Sequence, residues 1–235
     1  MTRHLIFIII LVLLFAAGTW PDGPSSKKTE FPELSELGDD DEVAEKASLG
    51  AKTWIIPTPV WVIGSYDKDG KPNMMTSSWV GICCSKPASL MTCLREATYT
   101  YGNIMERQAF TVNIASESYA RYAAYVGNVS GRDVDKFEKT GLTPVKSSLV
   151  DAPYIKDFPL VIECKLKQTV ELGLHTMFIG EIMDVKADRS ILSKEGVPDI
   201  EKLKPFVFTP GSSKFYGMGA LIGNVSDLAK EAEIK

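Results

Sequence analysis

The sequence predicts a mainly β fold, a small closed antiparallel barrel of about six strands carrying two or three short helices. Three observations lead there. Three strand-like runs follow one another between Val60 and Arg95 with only short turns between them, and short turns join antiparallel neighbours. The run Leu160–Val170 alternates apolar and polar residues at the two-residue period of a strand. The helical stretches are few and brief, and about six strands with two or three helices make a small closed barrel.

Each element has its own signal. Val60–Asp67 (VWVIGSYD) is rich in β-branched and aromatic residues. Asp67–Gly70 (DKDG) is a turn sequence, with Gly70 able to take a positive φ. Asn73–Ile82 (NMMTSSWVGI) is the return strand; Ser85–Ser89 (SKPAS) turns the chain again into a strand at Ser89–Arg95. A short helix follows at Thr100–Gln108, with Thr98 or Thr100 as its N-cap. Ala109–Ile114 (AFTVNI) is a strand, and Ser116 can cap a second helix that runs to Val126 and stops at Gly127. In Leu160–Val170, Leu160, Ile162, Cys164 and Leu166 share one face while Val161, Glu163, Lys165 and Lys167 share the other, so one face is expected to be wet. His175–Val185 is its partner after a flexible stretch, Glu171–Leu174. No internal repeat is present.

Ahead of this body lie two segments of different character. Arg3 and His4 precede an uncharged apolar run, Leu5–Ala17, of 13 residues, where a span needs roughly 20. With Ala16, Ala17 and Gly18 as a small-residue cleavage site, residues 1–18 read as an export signal, or as a membrane anchor if uncleaved. The protein is accordingly expected to be exported, periplasmic or secreted. Residues 19–50 read as an acidic flexible linker: Glu30–Glu45 holds eight acids, no base and few apolar side chains. The folded domain is expected over 51–235.

Composition excludes several classes. The net charge is −4, but residues 1–50 hold nine acids against four bases, leaving 22 basic and 21 acidic residues beyond. A body of net charge +1 gives no electrostatic footprint for nucleic acid. Only two histidines exist, His4 and His175, so a multi-His zinc site is excluded and no metal is expected. Cys83, Cys84, Cys93 and Cys164 form no CxxC, haem or iron–sulfur pattern. If Lys86–Ala88 is a turn tip, Cys84 faces Ser89 and Cys93 faces Val80. Cys84 and Cys93 are then roughly 13 Å apart along the strands, beyond disulfide reach, and the thiols are expected to be mostly free.

Four places could carry chemistry. Thr76, Ser77 and Ser78 stand beside Trp79 on one strand, Thr76 and Ser78 on one face and Ser77 and Trp79 on the other. Strand-end hydroxyls with Arg95 close by can hold a phosphate; equally, they can be an ordinary polar strand. Gly127–Phe137 (GNVSGRDVDKF) packs two glycines, Ser130, Arg132, Asp133, Asp135 and Lys136 into one loop, which can surround an anion, or can be a polar helix start with Asp133 as N-cap. His175, at a strand end, is a proton or hydrogen-bond donor to a ligand or else a plain surface residue. Gly217–Gly223 (GMGALIG) misses the dinucleotide spacing and is set aside, and the triplets Asn128–Ser130 and Asn224–Ser226 match a glycosylation pattern by chance.

Taken together, PTPVWVIGSYDKDGKPNMMTSSWVG, SKPASLMTCLREATYTYGNI, GNVSGRDVDKFEKTGL and LGLHTMFIGEI resemble the flavin reductase-like family, in its flavoredoxin-like branch, over Ile56 to Gly219. The resemblance implies a six-stranded Greek-key split barrel, dimeric, with FMN (FAD being the lesser alternative) at the dimer interface. By position, Asn73, Thr76, Ser77, Ser78 and Trp79 would line the flavin; Arg95 and Thr100 would hold its phosphate or ribityl end. Lys136 and His175 would approach from the other side, and Phe215 is a further position. The implied activity is hydride transfer from NAD(P)H to bound flavin; the other reading is electron exchange with a redox protein partner. The export signal and the pair Cys83–Cys84 depart from the family pattern, and the first bears on whether NAD(P)H is the donor.

Overall fold

A computed structural model describes residues 46–233. The signal expected at 1–18 and nearly all of the linker expected at 19–50 lie outside these residues. Residues 48–220 form one compact unit; the helix Val225–Glu233 belongs to a second unit.

The strands are β1 (Thr58–Pro59), β2 (Trp61–Tyr66), β3 (Pro72–Ser77), β4 (Val80–Ser85), β5 (Ala88–Arg95), β6 (Ala109–Ile114), β7 (Pro144–Lys146), β8 (Pro153–Ile155), β9 (Leu160–Leu172), β10 (His175–Ala187), β11 (Phe206–Thr209) and β12 (Lys214–Gly217). Three helices matter for the site: α1 (Tyr99–Arg107), α2 (Ala120–Asn128) and α3 (Lys136–Thr140). The main sheet is antiparallel in the order β3-β2-β6-β9-β10-β5-β4; two small sheets, β1-β11-β12 and β7-β8, lie beside it.

Seven segments stand where six strands were expected, and the reason is a bend. β3 and β4 are consecutive in the chain, separated only by Ser78 and Trp79, yet they sit at opposite ends of the sheet order. Closure is made where they part: the Ser77 and Thr92 hydroxyls lie 3.1 Å apart, and the Cys93 amide donates to the Trp79 carbonyl at 2.9 Å. One bent stretch of chain therefore serves both edges of the sheet and joins them at the bend. The bend also undoes the expected shared face of Ser77 and Trp79: Ser77 is buried inside, whereas Trp79 is exposed.

β2 shows how the core is layered. Ile63 faces the barrel interior with Leu90, Leu94, Phe110, Val112 and Phe178, while Val62 faces outward to Met74, Ala123, Val126 and Phe137 under α2 and α3. Both β2 side chains are fully buried, each contributing about 1.5–3 kcal/mol by burial. α1 contributes Ile104 to the interior, and Tyr101 meets Phe178 edge-on at 5.1 Å.

Several local expectations need correction. α1 begins at Tyr99, capped by Thr98, whose hydroxyl accepts from the Tyr101 amide. Gly127 does not end α2; it lies inside the helix, where a Cβ would stand 3.1 Å from that of Thr76, so its smallness serves close packing on β3. α3 is capped by Asp135, not Asp133, with the Glu138 amide donating to its carboxylate at 3.0 Å. The stretch Glu171–Leu174 is ordered: Glu171 and Leu172 end β9, Leu172 pairs with His175, and Gly173 (φ 75°) with Leu174 makes a tight two-residue turn. The wet face of β9 begins only at Lys165: Val161 and Glu163 are buried. Glu163 is covered by the segment after β7, accepts amides from Ser148 and Leu149, and pairs with Lys186. In the β4–β5 hairpin Cys84 pairs with Ser89 as expected. A bulge between Ile82 and Cys84 brings Val80 opposite Thr92, not Cys93, and all four cysteines stand unpaired.

Candidate functional site

On β5, buried Leu90, Thr92 and Leu94 alternate with half-buried Met91 and Cys93 and exposed Arg95; on β10, buried Thr176 and Phe178 alternate with His175, Met177 and Ile179. The register sets His175 opposite Arg95, so both sit on the outer face of the barrel at one end. Trp79, at the bend, meets the His175 ring at a 40° tilt with centroids 4.4 Å apart. Three residues far apart in sequence thus meet.

Arg95 also borders a cleft of about 300 Å³. Its other walls are Thr98, Tyr99 and Thr100 from the first turn of α1, Gly127–Gly131 from the end of α2 and the loop beyond, and Lys136 and Met75. The opening of a helix is a natural seat for an anion, because its first amides lack partners within the helix. Lys136 is only 4% exposed and donates to the Val126 carbonyl at 2.7 Å. Burial holds its ammonium down at about 8.

Asn73 organises the floor. It is buried on β3, and its amide nitrogen donates to Ser65 at 3.3 Å and to Thr100 at 2.9 Å, tying β2, β3 and α1 together. Its carbonyl oxygen is buried with no partner among the described residues. It packs against Gly131, where a Cβ would overlap it and stand 2.7 Å from the Tyr99 ring. Gly131 is therefore the only residue type that lets the loop close on Asn73.

Tyr99 separates this cleft from a second one of about 270 Å³ that includes Asp67, Glu106 and Arg132. The Tyr99 phenol donates to Asp67 at 2.7 Å, and burial and that bond push it up to about 12. Burial opposes ionisation of Asp67, but bonds from Tyr99 and from the Lys71 and Asp69 amides win and hold the carboxyl below its usual range. The Arg132 guanidinium lies 5.4 Å from the Tyr99 ring centre and donates to the Ala97 carbonyl.

The expected residues divide accordingly. Arg95, Thr100 and Lys136 share the cleft; Asn73 lies beneath it; Trp79 and His175 stand beside Arg95. Ser78 sits half-buried at the bend. The Thr76 hydroxyl donates to the Ala123 carbonyl at 2.6 Å and the Ser77 hydroxyl faces Thr92, so both are engaged within the fold. Phe215 does not reach the cleft; it packs against Phe206 and Phe208 at 5.1 and 5.9 Å. Tyr99 and Met75 were missed. Tyr99 sits between the two threonines weighed as caps, but its partner Asp67 is 32 positions away.

The geometry fits a phosphorylated ligand. Two cationic side chains, threonine hydroxyls, a helix start and a glycine-bearing loop converge on one concavity. Comparisons with known proteins agree with the fold. Flavoredoxin of Desulfovibrio vulgaris (Miyazaki F) is 50% identical, with a TM-score of 0.74 over 77% of this chain and 97% of its own. Flavoredoxin from Methanosarcina acetivorans is 30% identical, with a TM-score of 0.75 over 80% and 99%. A protein from Shewanella frigidimarina, described as a flavin reductase with a split barrel domain, is 26% identical, with a TM-score of 0.66 over 72% and 86%. The flavin reductase like domain profile matches residues 53–211, and with most of the folded body inside that match the chain belongs to this family.

Proposed function

We propose that the cleft binds FMN, phosphate end inward, and that the protein is an oxidoreductase taking hydride from NAD(P)H onto the bound flavin. The observation that carries the FMN part is the convergence of Arg95, Lys136 and the start of α1 on one concavity. A cleft of about 300 Å³ suits a mononucleotide better than FAD. Arg95 would clasp the phosphate with charge-assisted hydrogen bonds, and Thr98 and Thr100 would orient it. Trp79 would wall the flavin and His175 would donate a hydrogen bond or proton to it from the outer face. Bound FMN supplies the redox chemistry; the chain's residues place it and exclude water.

A second reading has specific support. Half of the aligned residues are shared with a flavoredoxin, which favours electron exchange with a redox protein partner and no nicotinamide turnover. A homodimer belongs to both readings: Met91, Cys93, Met177 and Ile179 form an apolar stripe on the outer barrel face, with Trp79 exposed beside it. So does export, on the strength of residues 1–18. The test is anaerobic stopped-flow bleaching of the FMN-loaded full chain by NADH, NADPH and dithionite. Bleaching by a nicotinamide supports the reductase, bleaching by dithionite alone supports the carrier, and a chain that takes up no FMN refutes both.

A further inference from the structure

Lys136 is the buried charge of the cleft, and its surroundings leave it unmatched. Among the described residues no carboxylate lies within ion-pair distance of its ammonium, whose hydrogen bond goes to the Val126 carbonyl. On its own helix stand Glu138 and Lys139, and on the preceding loop Arg132, Asp133 and Asp135. Asp135 is occupied, pairing with Lys71 at 3.3 Å and accepting the Glu138 amide. α2 adds Arg121, Tyr122 and Tyr125, and β3 adds no titratable group. Across the cleft are Arg95 and Tyr99, whose phenol is committed to Asp67; Glu96, just past β5, does not line it.

We propose that Lys136 is the proton-accepting member of an anion site, so that arrival of a phosphate monoester, that of FMN, is coupled to uptake of one proton at its amine. This rests on the reading that the cleft takes FMN. A buried ammonium facing only a carbonyl has desolvation to bear and no counter-charge to relieve it. A dianionic phosphate supplies that counter-charge and favours the protonated amine, and the proton comes from the buffer. By linkage, affinity must fall as pH rises through the free-state value. With that value at about 8, the amine is about nine-tenths neutral at pH 9 and about one-tenth neutral at pH 7. The phosphate itself, with a second pKa of about 6, is ionised throughout this window.

Calorimetric titration of the full chain with FMN, in two buffers of different ionisation heat, counts the protons directly. The expected result is uptake of about 0.9 proton at pH 9 and about 0.1 at pH 7, with Kd about tenfold weaker at pH 9. Lys136→Arg should bind FMN with neither proton uptake nor the pH step, and Lys136→Met should lose both and bind more weakly at pH 7. FMN binding without extra uptake at pH 9, uptake that persists in Lys136→Arg, or equal uptake with riboflavin overturns the proposal. A chain that binds no FMN at pH 7 refutes the FMN reading instead. Inorganic phosphate then serves as the probe, and phosphate that fails to bind, or binds without the proton, overturns the lysine's role.

Discussion

Gly131 should be the least replaceable small residue of the cleft, and Gly102 shows by contrast why. In α1, nothing among the described residues lies within 4 Å of where a Gly102 Cβ would stand, so Gly102→Ala should follow helix propensity and stabilise by about 0.5–1 kcal/mol. At Gly131 the φ is ordinary, so the obstacle is space alone. An added methyl overlaps the Asn73 carbonyl and stands 2.7 Å from the Tyr99 ring, closer than real Cβ contacts come. Overpacking costs about 1–3 kcal/mol. If Asn73 turns away, its 2.9 Å bond to Thr100 is lost as well, for a further 1 kcal/mol or so. Gly131→Ala is therefore expected to destabilise by about 2–4 kcal/mol and to loosen the cleft wall. Urea denaturation at fixed m, with FMN titration alongside, reads both effects. Equal stability of the two alanine variants would refute the packing argument.

Other outcomes follow from the same geometry. Arg95→Ala should weaken FMN binding at least tenfold, the equivalent of one charge-assisted hydrogen bond at roughly 1.5–3 kcal/mol, and fluorescence titration would show it. His175→Ala should slow flavin reduction by about 10²–10⁴-fold while leaving FMN affinity nearly unchanged, as single-turnover bleaching would report; equal rates would remove it from the mechanism. Lys136 should also shape stability in the absence of FMN. Its native value, about 8, lies below the ordinary 10.5 for lysine, so the unfolded chain binds more protons between these values and its destabilising effect fades as pH rises through that window. Lys136→Met should therefore be the more stable protein at pH 7, by up to about 3 kcal/mol, with the gap narrowing by pH 9.5 in urea melts.

Strand identity was legible because it depends on local pattern: each of the six runs from Val60 to Val185 forms strand, the run Asn73–Ile82 being split in two by the Ser78–Trp79 bend. What the pattern could not carry was the consequence of closure. The Ser78–Trp79 bend answers to β5, not to its neighbours in sequence, and so Trp79 left the face of Ser77. The buried state of Val161 and Glu163 likewise depends on the segment around Ser148, which carries no strand-like signal that ties it to β9. Arg95, Thr100 and Lys136, singled out by residue type and family position, are brought together in one cleft. The Thr76 hydroxyl is taken by a helix carbonyl, a partner that a hydroxyl on a strand does not announce. Phe215 packs on Phe206 and Phe208, a placement that the spacing near the C-terminus does not announce.

The β9–β10 hairpin has a bearing on how the chain is made. Its thirteen-residue arms meet across a two-residue turn, so its pairing is as local as a sheet permits and can zip within microseconds of the segment becoming available. Both of its flanks are taken by strands synthesised much earlier: β6 pairs from Ile114 opposite Leu160, and β5 out to Ser89 opposite Glu181. Until residues 160–187 leave the ribosome, β5 and β6 each have an unpaired edge, with Phe110 and Leu94 lacking their final neighbours. The first half of the barrel is thus a nascent chain with two sticky edges, dependent on a late hairpin to insert between them. Pausing or truncation before Ala187 should leave an aggregation-prone product, whatever the stability of the finished protein.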